Sequence, residues 1–261
     1  MTFQNKVVAI TGAAGGIGRE LCRHFGRQGA AIAALDRSGA VPGVVAQLRA
    51  EGIAAEAAVV DIGHAADVRS AFERLVGLLG PVDILVNNAG ITRNPALERT
   101  TPEGFEDDVH ANLNGAFNCT HAVLPDMKRR RAGVIVNIGS VNGLTALGDA
   151  AYSAAKAGLI SLTRSLAQEF GRYNIRANIV CPGTVRTPIW DERLARNPDV
   201  LTQLQRWYPL GRIVEPSEVL NAVAFLASDA ASAITGVVLP VDCGLSAGNL
   251  VMARELTLED F

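Results

Sequence analysis

The segment that decides the fold is Lys6-Val7-Val8-Ala9-Ile10-Thr11-Gly12-Ala13-Ala14-Gly15-Gly16-Ile17-Gly18, close to the N-terminus. Its first half is apolar and rich in β-branched side chains, which predicts a buried strand. A glycine-rich turn follows, and Ile17, Leu21 and Phe25 then recur at helical spacing. A glycine-rich loop alone is often no more than a turn, but between a strand and a helix it directs backbone N–H groups at a diphosphate. The segment therefore predicts a dinucleotide-binding unit.

An acidic residue ends the second predicted strand. Asp36 follows the apolar run 30–35, about 20 residues past the glycines, where an acid can accept the ribose hydroxyls of adenosine. A 2′-phosphate would meet a like charge there, so Asp36 favours NAD over NADP. Arg37 is the counter-signal, because a guanidinium can pair with a phosphate. A solvated loop position is the simpler interpretation of Arg37.

A tyrosine and a lysine lie one helical turn apart further along the chain. Tyr152 and Lys156 are separated by four positions, so both side chains project from one face of a predicted helix. A phenol with a pKa of ~10 is a poor acid or base at neutral pH, and a neighbouring cation lowers that pKa. The pair predicts a proton donor and acceptor, although this spacing also occurs by chance. Ser140 lies twelve positions before Tyr152, at the end of an apolar run.

Six motifs in order give the chain a family resemblance. They are Thr11-Gly12-x-x-x-Gly16-x-Gly18, Asn87-Asn88-Ala89-Gly90, Asn112, Ser140, Tyr152-x-x-x-Lys156 and Pro182-Gly183. With these motifs the chain resembles the short-chain dehydrogenases/reductases over nearly its whole length. The resemblance implies an α/β fold with a single Rossmann-like doubly wound parallel sheet of seven strands. The implied strand order is 3-2-1-4-5-6-7, with helices on both faces.

Residues 1–261 are expected to form a single domain, because the sequence shows neither a linker nor an internal repeat. Strands are predicted at 7–11, 31–35, 57–60, 84–86, 134–138, 176–180 and 237–241. The main helices are predicted at 67–79, 102–127, 150–171 and 216–227. Ligands of such open sheets bind beyond the carboxyl ends of the strands, so the polar residues that end the strands should converge there. A substrate flap is predicted around 188–210.

The resemblance also implies a set of residues for an NAD cofactor. Its members are Gly12, Gly15, Gly16, Ile17, Gly18, Asp36, Arg37, Asp61, Ile62, Asn88, Ala89, Gly90, Tyr152, Lys156, Pro182, Gly183, Val185 and Thr187. Within it, Asp61 and Ile62 are expected at the adenine, although Asp61 could equally cap a helix. Val185 and Thr187 are expected at the nicotinamide carboxamide. Asn87, next to this set, is expected to be as much structural as cofactor-binding.

Catalytic roles follow from the same resemblance. Tyr152 is implied as the acid and base, and Ser140 as a hydrogen-bond partner of the substrate oxygen. Lys156 is expected to lower the Tyr152 pKa and to hold the nicotinamide ribose, and Asn112 to anchor a water that links Lys156 to solvent. The substrate itself is expected to meet four further residues, which are Asn94, Asn142, Asp149 and Trp190.

The predicted function is NAD-dependent hydride transfer between nicotinamide and a secondary alcohol or ketone. Mixed polar and aromatic residues in the flap favour a polyol, a sugar or a hydroxy-ketone over an apolar substrate. One alternative is a 3-oxoacyl thioester reductase, against which Asp36 and the balanced charge argue. A second alternative, of another class, is a non-catalytic dinucleotide-sensing protein; the complete set of Asn112, Ser140, Tyr152 and Lys156 argues against it.

Composition excludes several other functions. The net charge is −2 with no basic stripe, so nucleic acid is not an expected partner, and no apolar run is long enough to span a membrane. Arg129-Arg130-Arg131 falls where a helix should end, which favours complementation of the helix dipole. The four cysteines and four histidines lack the spacing of a metal site, and scattered cysteines are typical of a cytoplasmic protein.

The family usually forms a homotetramer through its long helices.

Two positions depart from the family pattern. Members commonly place the serine one residue further from the tyrosine, so the loop 141–151 is one residue short. Cys243 stands where a glycine is usual, and its thiol is expected to crowd a neighbour or a subunit contact. The tail 250–256 is apolar enough to pack locally or to cover a neighbouring subunit.

Overall fold

A seven-stranded parallel sheet organises the chain in this computed structural model, which describes residues 2–92, 96–187 and 190–260. In chain order the strands are β1 (Val7–Thr11), β2 (Ala31–Asp36), β3 (Ala55–Val59), β4 (Ile84–Asn87), β5 (Gly133–Ile138), β6 (Ile175–Pro182) and β7 (Val238–Val241). Across the sheet their order is β3-β2-β1-β4-β5-β6-β7, and every neighbouring pair is parallel. This confirms the predicted fold class and strand order.

Helices cover both faces of the sheet. They are α1 (Gly16–Arg27), α2 (Val41–Ala50), α3 (Ala65–Leu79), α4 (Pro102–Val109), α5 (Gly115–Arg130), α6 (Ala150–Phe170), α7 (Asp191–Arg196), α8 (Val200–Gln205), α9 (Pro216–Ala227) and α10 (Leu250–Thr257). Helices α1, α2 and α9 pack on one face, and α3, α5 and α6 on the other. Within the described ranges, no helix combines the length and the apolarity that crossing a membrane would need.

Strand β1 shows how the sequence fills both layers of the core. Val8 and Ile10 point into the cluster that contains Phe25 of α1, whereas Val7 and Ala9 point into the cluster that contains Phe72 of α3. Successive strand residues face opposite sides of a sheet, so a strand covered on both sides must be apolar throughout. This is why the strand reads as one continuous apolar run.

The structure departs from the predicted elements around residue 110. The helix predicted over 102–127 is two helices, α4 and α5, separated by a π-helical turn at His110–Asn114.

Helix α2 was not predicted, because Pro42 and Gly43 in its first turn suggest a loop. Proline is tolerated there, since the first N–H groups of a helix have no partner within it.

The carboxyl ends of the central strands place the polar residues on one edge of the sheet. Asp36, Asn87 and Pro182 are the last residues of β2, β4 and β6, and Ser140 follows β5 by two positions. The convergence expected from the sequence is therefore present.

A buried amide network joins the strands to the helices behind this edge. Asn87 Nδ2 donates to Asn137 Oδ1 at 2.9 Å and to Thr120 Oγ1 at 3.2 Å. Asn137 Nδ2 donates to Thr163 Oγ1 at 2.8 Å, and Thr163 donates in turn to the Leu159 carbonyl at 2.7 Å. Strands β4 and β5 are thereby fixed to α5 and α6, which carry neighbouring parts of the site.

Asn137→Ala should lower the free energy of unfolding by about 3 kcal/mol, because it creates a cavity and removes a bond from two buried polar groups. Chemical denaturation of the purified variant measures this loss. Asn249→Ala is the matched control, since it removes an exposed cap of α10 and should cost about 1 kcal/mol or less. Equal losses in the two variants would contradict the structural role of the network.

Candidate active site and cofactor cleft

The glycine turn between β1 and α1 is closed so tightly that side chains cannot enter it. A Cβ atom on Gly18 would lie 2.0 Å from the carbonyl oxygen of Gly12, and Gly12 itself has a φ of +66°. A Cβ on Gly12 would come within 2.9 Å of the Ala89 Cα atom. Gly12 and Gly18 are therefore required by the backbone path, and the turn leaves room for a ligand in front of it.

Helix α1 presents an uncapped N-terminus to this room. Gly15 occupies the N-cap position, no side chain caps the helix, and no acidic residue lies in its first turn. The first N–H groups of a helix and the positive end of its dipole attract an anion. The turn and the helix together are suited to a diphosphate.

Hydrogen bonds from the loop after β4 hold the glycine turn in place. Thr11 Oγ1 accepts from the backbone N–H groups of Asn88 and Ala89, at 3.0 Å in both cases. Asn88 Nδ2 donates to the carbonyl oxygens of Thr11 at 3.0 Å and of Gly12 at 3.2 Å. Asn88 thus serves the cleft by fixing its backbone, which leaves the adjacent Ala89 and Gly90 along the wall.

Asp36 lies at the end of the cleft expected to hold the adenosine ribose. Its Oδ2 accepts from the Ala14 N–H at 2.8 Å, and its Oδ1 accepts from the Ser38 N–H at 2.9 Å. An ionised carboxylate can accept about four hydrogen bonds, so capacity remains for two ribose hydroxyls. The structure adds a use that the sequence did not predict, since Asp36 also ties the glycine turn to β2.

A cavity of about 760 Å³ runs along this edge of the sheet. Of the residues predicted to bind the cofactor, those that line it are Gly12, Gly15, Gly16, Ile17, Gly18, Asp36, Arg37, Asp61, Ile62, Asn88, Ala89, Gly90 and Thr187. Its size, its glycine cradle and its uncapped helix fit an extended dinucleotide. In the described ranges, no group of three or more His, Cys, Asp or Glu side chains could hold a metal ion.

The cavity also contains residues that the sequence did not predict. Arg19, Asp107 and His110 are the polar or charged residues among them. Arg19 directly follows the last motif glycine and donates to the Ala14 carbonyl at 2.8 Å. Its place next to the glycine motif is a sequence signal from which its position in the cavity could have been predicted. His110 belongs to the π-helical turn, whose position the helical pattern does not reveal.

Tyr152 and Lys156 lie on α6 as their spacing predicted. Lys156 Nζ is 5.5 Å from the centre of the Tyr152 ring and donates to the Ile138 carbonyl at 2.8 Å. Its side chain is only 3 % exposed, and burial lowers the pKa of the ammonium to about 8. A buried cation held by a carbonyl group is costly to keep charged, which is typical of a functional lysine.

The pKa of Tyr152 differs from the sequence-based expectation. Burial raises it above the usual value, Asp149 and Cys181 raise it further, and only the hydrogen bond with Ser140 lowers it. We expected Lys156 to lower this pKa, but the net shift is upward, and its largest cause is the burial of the phenol. The thiol of Cys181 has its own pKa raised to about 11 by burial, so it is neutral at physiological pH.

Asn112 holds the backbone that follows the Asn-Asn-Ala-Gly loop. Its Nδ2 donates to the carbonyl oxygens of Ile91 at 2.8 Å and Asp108 at 2.9 Å, and its Oδ1 accepts from the Ile91 N–H at 3.2 Å. A Cβ on Gly90 would lie 2.8 Å from Asn112 Oδ1 and 3.3 Å from Lys156 Nζ. Gly90 therefore packs close to both groups, and the role of Asn112 as a water anchor stays a prediction.

The segment after β6 was predicted to meet the nicotinamide. Pro182 ends β6, and Gly183 continues along β7 by donating its N–H to the Val241 carbonyl at 3.0 Å. Val185 is buried and forms a bridge with Val214, whereas Thr187 lines the cavity. Thr187 is thus the member of this segment that the structure places at the cleft.

The four residues predicted to meet the substrate have different surroundings. Asn142 Nδ2 donates to the Gly148 carbonyl at 3.2 Å and to Ser153 Oγ at 3.3 Å, and Asp149 caps α6, so both are bonded within the protein. Trp190 packs against the flap's own cluster of Leu201, Tyr208 and Ile213. Asn94 lies outside the described residues.

The backbone conformation of Cys243 explains why a glycine is usual at this position. Its φ is +51°, a left-handed conformation in which a side chain is strained and a glycine is not. Its carbonyl oxygen accepts from the Leu210 N–H at 3.1 Å, which attaches the end of the flap to the sheet. Cys22, Cys119, Cys181 and Cys243 are all free thiols.

Comparison with known proteins gives consistent matches over the full chain. A family model described as enoyl-(acyl carrier protein) reductase matches residues 12–246. An uncharacterized oxidoreductase of Schizosaccharomyces pombe is 43% identical over 261 residues, which is 100% of this chain and 98% of the relative. The (2S)-[(R)-hydroxy(phenyl)methyl]succinyl-CoA dehydrogenase subunit of Thauera aromatica is 40% identical over 94% of this chain and 97% of its own length.

Solved structures match equally well. An oxidoreductase of the short-chain dehydrogenase/reductase family from Burkholderia thailandensis has a TM-score of 0.91 and 49% identity, covering 98% of both chains. A gluconate 5-dehydrogenase from Burkholderia cenocepacia in complex with NADP and tartrate has a TM-score of 0.89 and 35% identity, over 95% of this chain and 97% of that one. A 3-oxoacyl-[acyl-carrier protein] reductase from Brucella melitensis with bound NAD has a TM-score of 0.86 and 32% identity, over 94% and 92%.

Gly18→Ala should abolish dinucleotide binding, because its new methyl group would displace the Gly12 carbonyl and open the turn. Titration with NADH, followed by nicotinamide fluorescence, measures this loss. Gly77→Ala is the matched control, since a Cβ there meets open space on α3 and should stabilise the helix by about 1 kcal/mol. A Gly18→Ala protein that binds NADH as the parent does would rule out the glycine turn as the diphosphate site.

Proposed function

Because the chain belongs to the short-chain dehydrogenase/reductase family, we propose that it is an NAD-dependent oxidoreductase acting on a secondary alcohol or ketone. The observation that carries this proposal is the arrangement of Ser140, Tyr152 and Lys156 on the sheet edge that also bears the dinucleotide-sized cavity. A proton donor, a tuned cation and a cofactor cleft on one edge are what reversible alcohol oxidation requires.

Each catalytic residue then has a defined task at the substrate oxygen. When bound, the nicotinamide supplies or accepts the hydride at the neighbouring carbon. Tyr152 Oη takes the proton from the alcohol in oxidation and returns it in reduction, while the Ser140 hydroxyl hydrogen-bonds the same oxygen. The Lys156 ammonium, protonated at neutral pH with its pKa of about 8, favours the phenolate form of Tyr152. Because burial raises the Tyr152 pKa, oxidation should accelerate as the pH rises.

NAD is the cofactor that the chain's own residues favour. The Asp36 carboxylate lines the cavity at the end where we expect the adenosine ribose, and its charge would repel a 2′-phosphate bound there. Arg19 and Arg37 line the same cavity and are the groups that could offset this repulsion. Related proteins use either form, since the Brucella melitensis reductase holds NAD and the Burkholderia cenocepacia dehydrogenase holds NADP.

A polyol, sugar or hydroxy-ketone is the substrate class that we favour. Trp190 lies at the start of the flap, and the Arg193 guanidinium stacks on its ring at 4.7 Å from the centre. A ring and a cation side by side suit a hydroxylated, polar substrate more than a uniformly apolar one. The likeness to a gluconate 5-dehydrogenase supports the same class.

A thioester substrate is the second candidate, and one surface favours it. Lys128, Arg131 and Arg172 surround the Tyr173 ring, with cations 4.9, 6.0 and 4.9 Å from its centre. In the part of the chain that the structure describes, no carboxylate pairs with these three cations, so the patch could receive an acidic carrier. Two of the relatives act on a coenzyme A or carrier-protein thioester by name.

The assembly and location that we propose are a homotetramer in the cytoplasm. Phe105 of α4 is 38 % exposed and Phe117 of α5 is 50 % exposed, which supports a helix-mediated contact between subunits. The four free thiols support a reducing compartment.

Asp36→Asn should raise the ratio of kcat/KM for NADP to that for NAD at least about tenfold, because it removes the charge that repels a 2′-phosphate. Asparagine keeps an acceptor oxygen for the Ala14 N–H, so the turn should remain in place. Initial rates with both cofactors measure the ratio, and Asp67→Asn on the exposed start of α3 is the control. An unchanged ratio in Asp36→Asn would remove Asp36 from cofactor selection.

Tyr152→Phe should abolish turnover and leave NADH affinity within a few-fold of the parent value, because only the proton-transferring oxygen is lost. The rates are measured with both cofactors on a panel of polyols, sugars, hydroxy acids, cyclic alcohols and 3-oxoacyl thioesters. Tyr173→Phe, which alters the cationic surface instead, should keep full activity on free small substrates.

Each result on this panel has a distinct meaning. Turnover of polyhydroxy compounds supports the favoured class, and turnover of thioesters alone replaces it with the second candidate. Full activity in Tyr152→Phe would contradict the assignment of the acid and base.

A further inference from the structure

Asp149 makes two hydrogen bonds that join separate parts of the candidate active site. Its Oδ1 accepts from the Tyr152 backbone N–H at 3.3 Å, which caps the helix that carries both Tyr152 and Lys156. Its Oδ2 accepts from the hydroxyl of Thr92, in the loop that follows β4. One carboxylate thereby connects the catalytic helix to the loop that forms the wall of the cofactor cleft.

The loop held by Asp149 is fixed from its other side by Asn112. Ile91, next to Thr92, exchanges two hydrogen bonds with the Asn112 side chain, at 2.8 and 3.2 Å. Ile91 also lines the cofactor cavity. A displacement of Asp149 would therefore reach the cleft wall and the catalytic helix together.

Asp149 has an unusual backbone conformation, which its neighbours must hold in place. The residue has a φ of +50° and a ψ of +73°, in a region that residues other than glycine rarely occupy, and it is only 8 % exposed. Such a backbone costs of order 1–3 kcal/mol and persists when neighbouring bonds hold it. The hydrogen bonds of the carboxylate to Thr92 and to the Tyr152 N–H are contacts that hold it.

The groups that face Tyr152 come from three elements. Ser140 approaches from the end of β5, Cys181 from β6, and Asp149 and Lys156 from α6 itself. The Cys181 thiol is neutral at physiological pH because burial raises its pKa to about 11. Asp149 is thus the anion and Lys156 the cation among the described groups around the phenol.

We propose that Asp149 is a positioning residue that couples the Thr92 loop to the catalytic helix and holds a negative charge beside Tyr152. This inference rests on the proposed function for its consequence in catalysis. The role in substrate binding that the sequence predicted for Asp149 stays a prediction beside this one, because each carboxylate oxygen accepts one hydrogen bond and can accept another. The negative charge opposes formation of the phenolate.

The Asp149→Asn variant separates charge from geometry. Asparagine keeps an oxygen for the Tyr152 N–H and removes the negative charge. We expect Tyr152 to ionise at a lower pH in Asp149→Asn than in the parent. The chain has only three tyrosines, so ultraviolet difference titration of each protein against its own Tyr152→Phe form isolates this ionisation without any substrate.

The pH dependence of alcohol oxidation provides the second readout. Oxidation needs the phenolate, so the rising limb of kcat/KM should move to lower pH by the same amount in Asp149→Asn. Asp67→Asn removes an equal charge from exposed α3 and should move neither the titration nor the limb. An unmoved Tyr152 titration in Asp149→Asn would overturn the electrostatic part of the proposal.

Thr92→Val tests the coupling while the charge stays in place. We expect kcat to fall several-fold with the Tyr152 titration close to that of the parent, and parental kcat would overturn the coupling.

If the parent protein turns over no alcohol, the proposed function has failed, but the titration still decides the effect of Asp149. Should Asp149→Asn not fold, Thr92→Val still decides whether the link matters, through kcat and NADH affinity.

Discussion

The hydrogen bonds between Thr11 and the Asn88-Ala89 backbone are the interaction on which the site depends. Strands β1 and β4 are neighbours in the sheet. Strands β2 and β3 lie beyond β1 on one side, and β5, β6 and β7 lie beyond β4 on the other. A crevice opens where the strand order reverses in this way, and ligands of open α/β sheets bind there. Thr11 and Asn88 close the floor of the crevice, so the glycine turn on one side and Gly90 on the other keep a fixed separation.

On the other side of Gly90, the burial of Lys156 and Tyr152 determines how readily each group gives up its proton. Lys156 reaches the active site through protein that excludes water, and the Ile138 carbonyl orients its ammonium. The same exclusion raises the Tyr152 pKa and lowers that of Lys156, so each group is moved toward its neutral form. The charge of Asp149 raises the Tyr152 pKa further, and water screens this interaction little because the site is buried.

How much the sequence revealed depended on whether the signal was local. The glycine turn and the spacing of Tyr152 and Lys156 were predictable, because each rests on residues close in sequence. The strand order was implied by the family resemblance and not by any local pattern. The partners of Asp149 and Asn112 were not, since Thr92 and Ile91 come from another loop and nothing in the spacing indicates them. The π-helical turn at 110–114 was hidden for a similar reason: its sequence has the same periodicity as the helices on either side.

The most direct test of this account is a crystal structure of the protein grown with NADH. We expect the diphosphate at the N-terminus of α1, the adenosine ribose at Asp36, and the nicotinamide between Thr187 and the Tyr152 hydroxyl. A nicotinamide found at Asp36, or a dinucleotide bound away from the glycine turn, would contradict the claim that this edge of the sheet brings a hydride carrier to Tyr152.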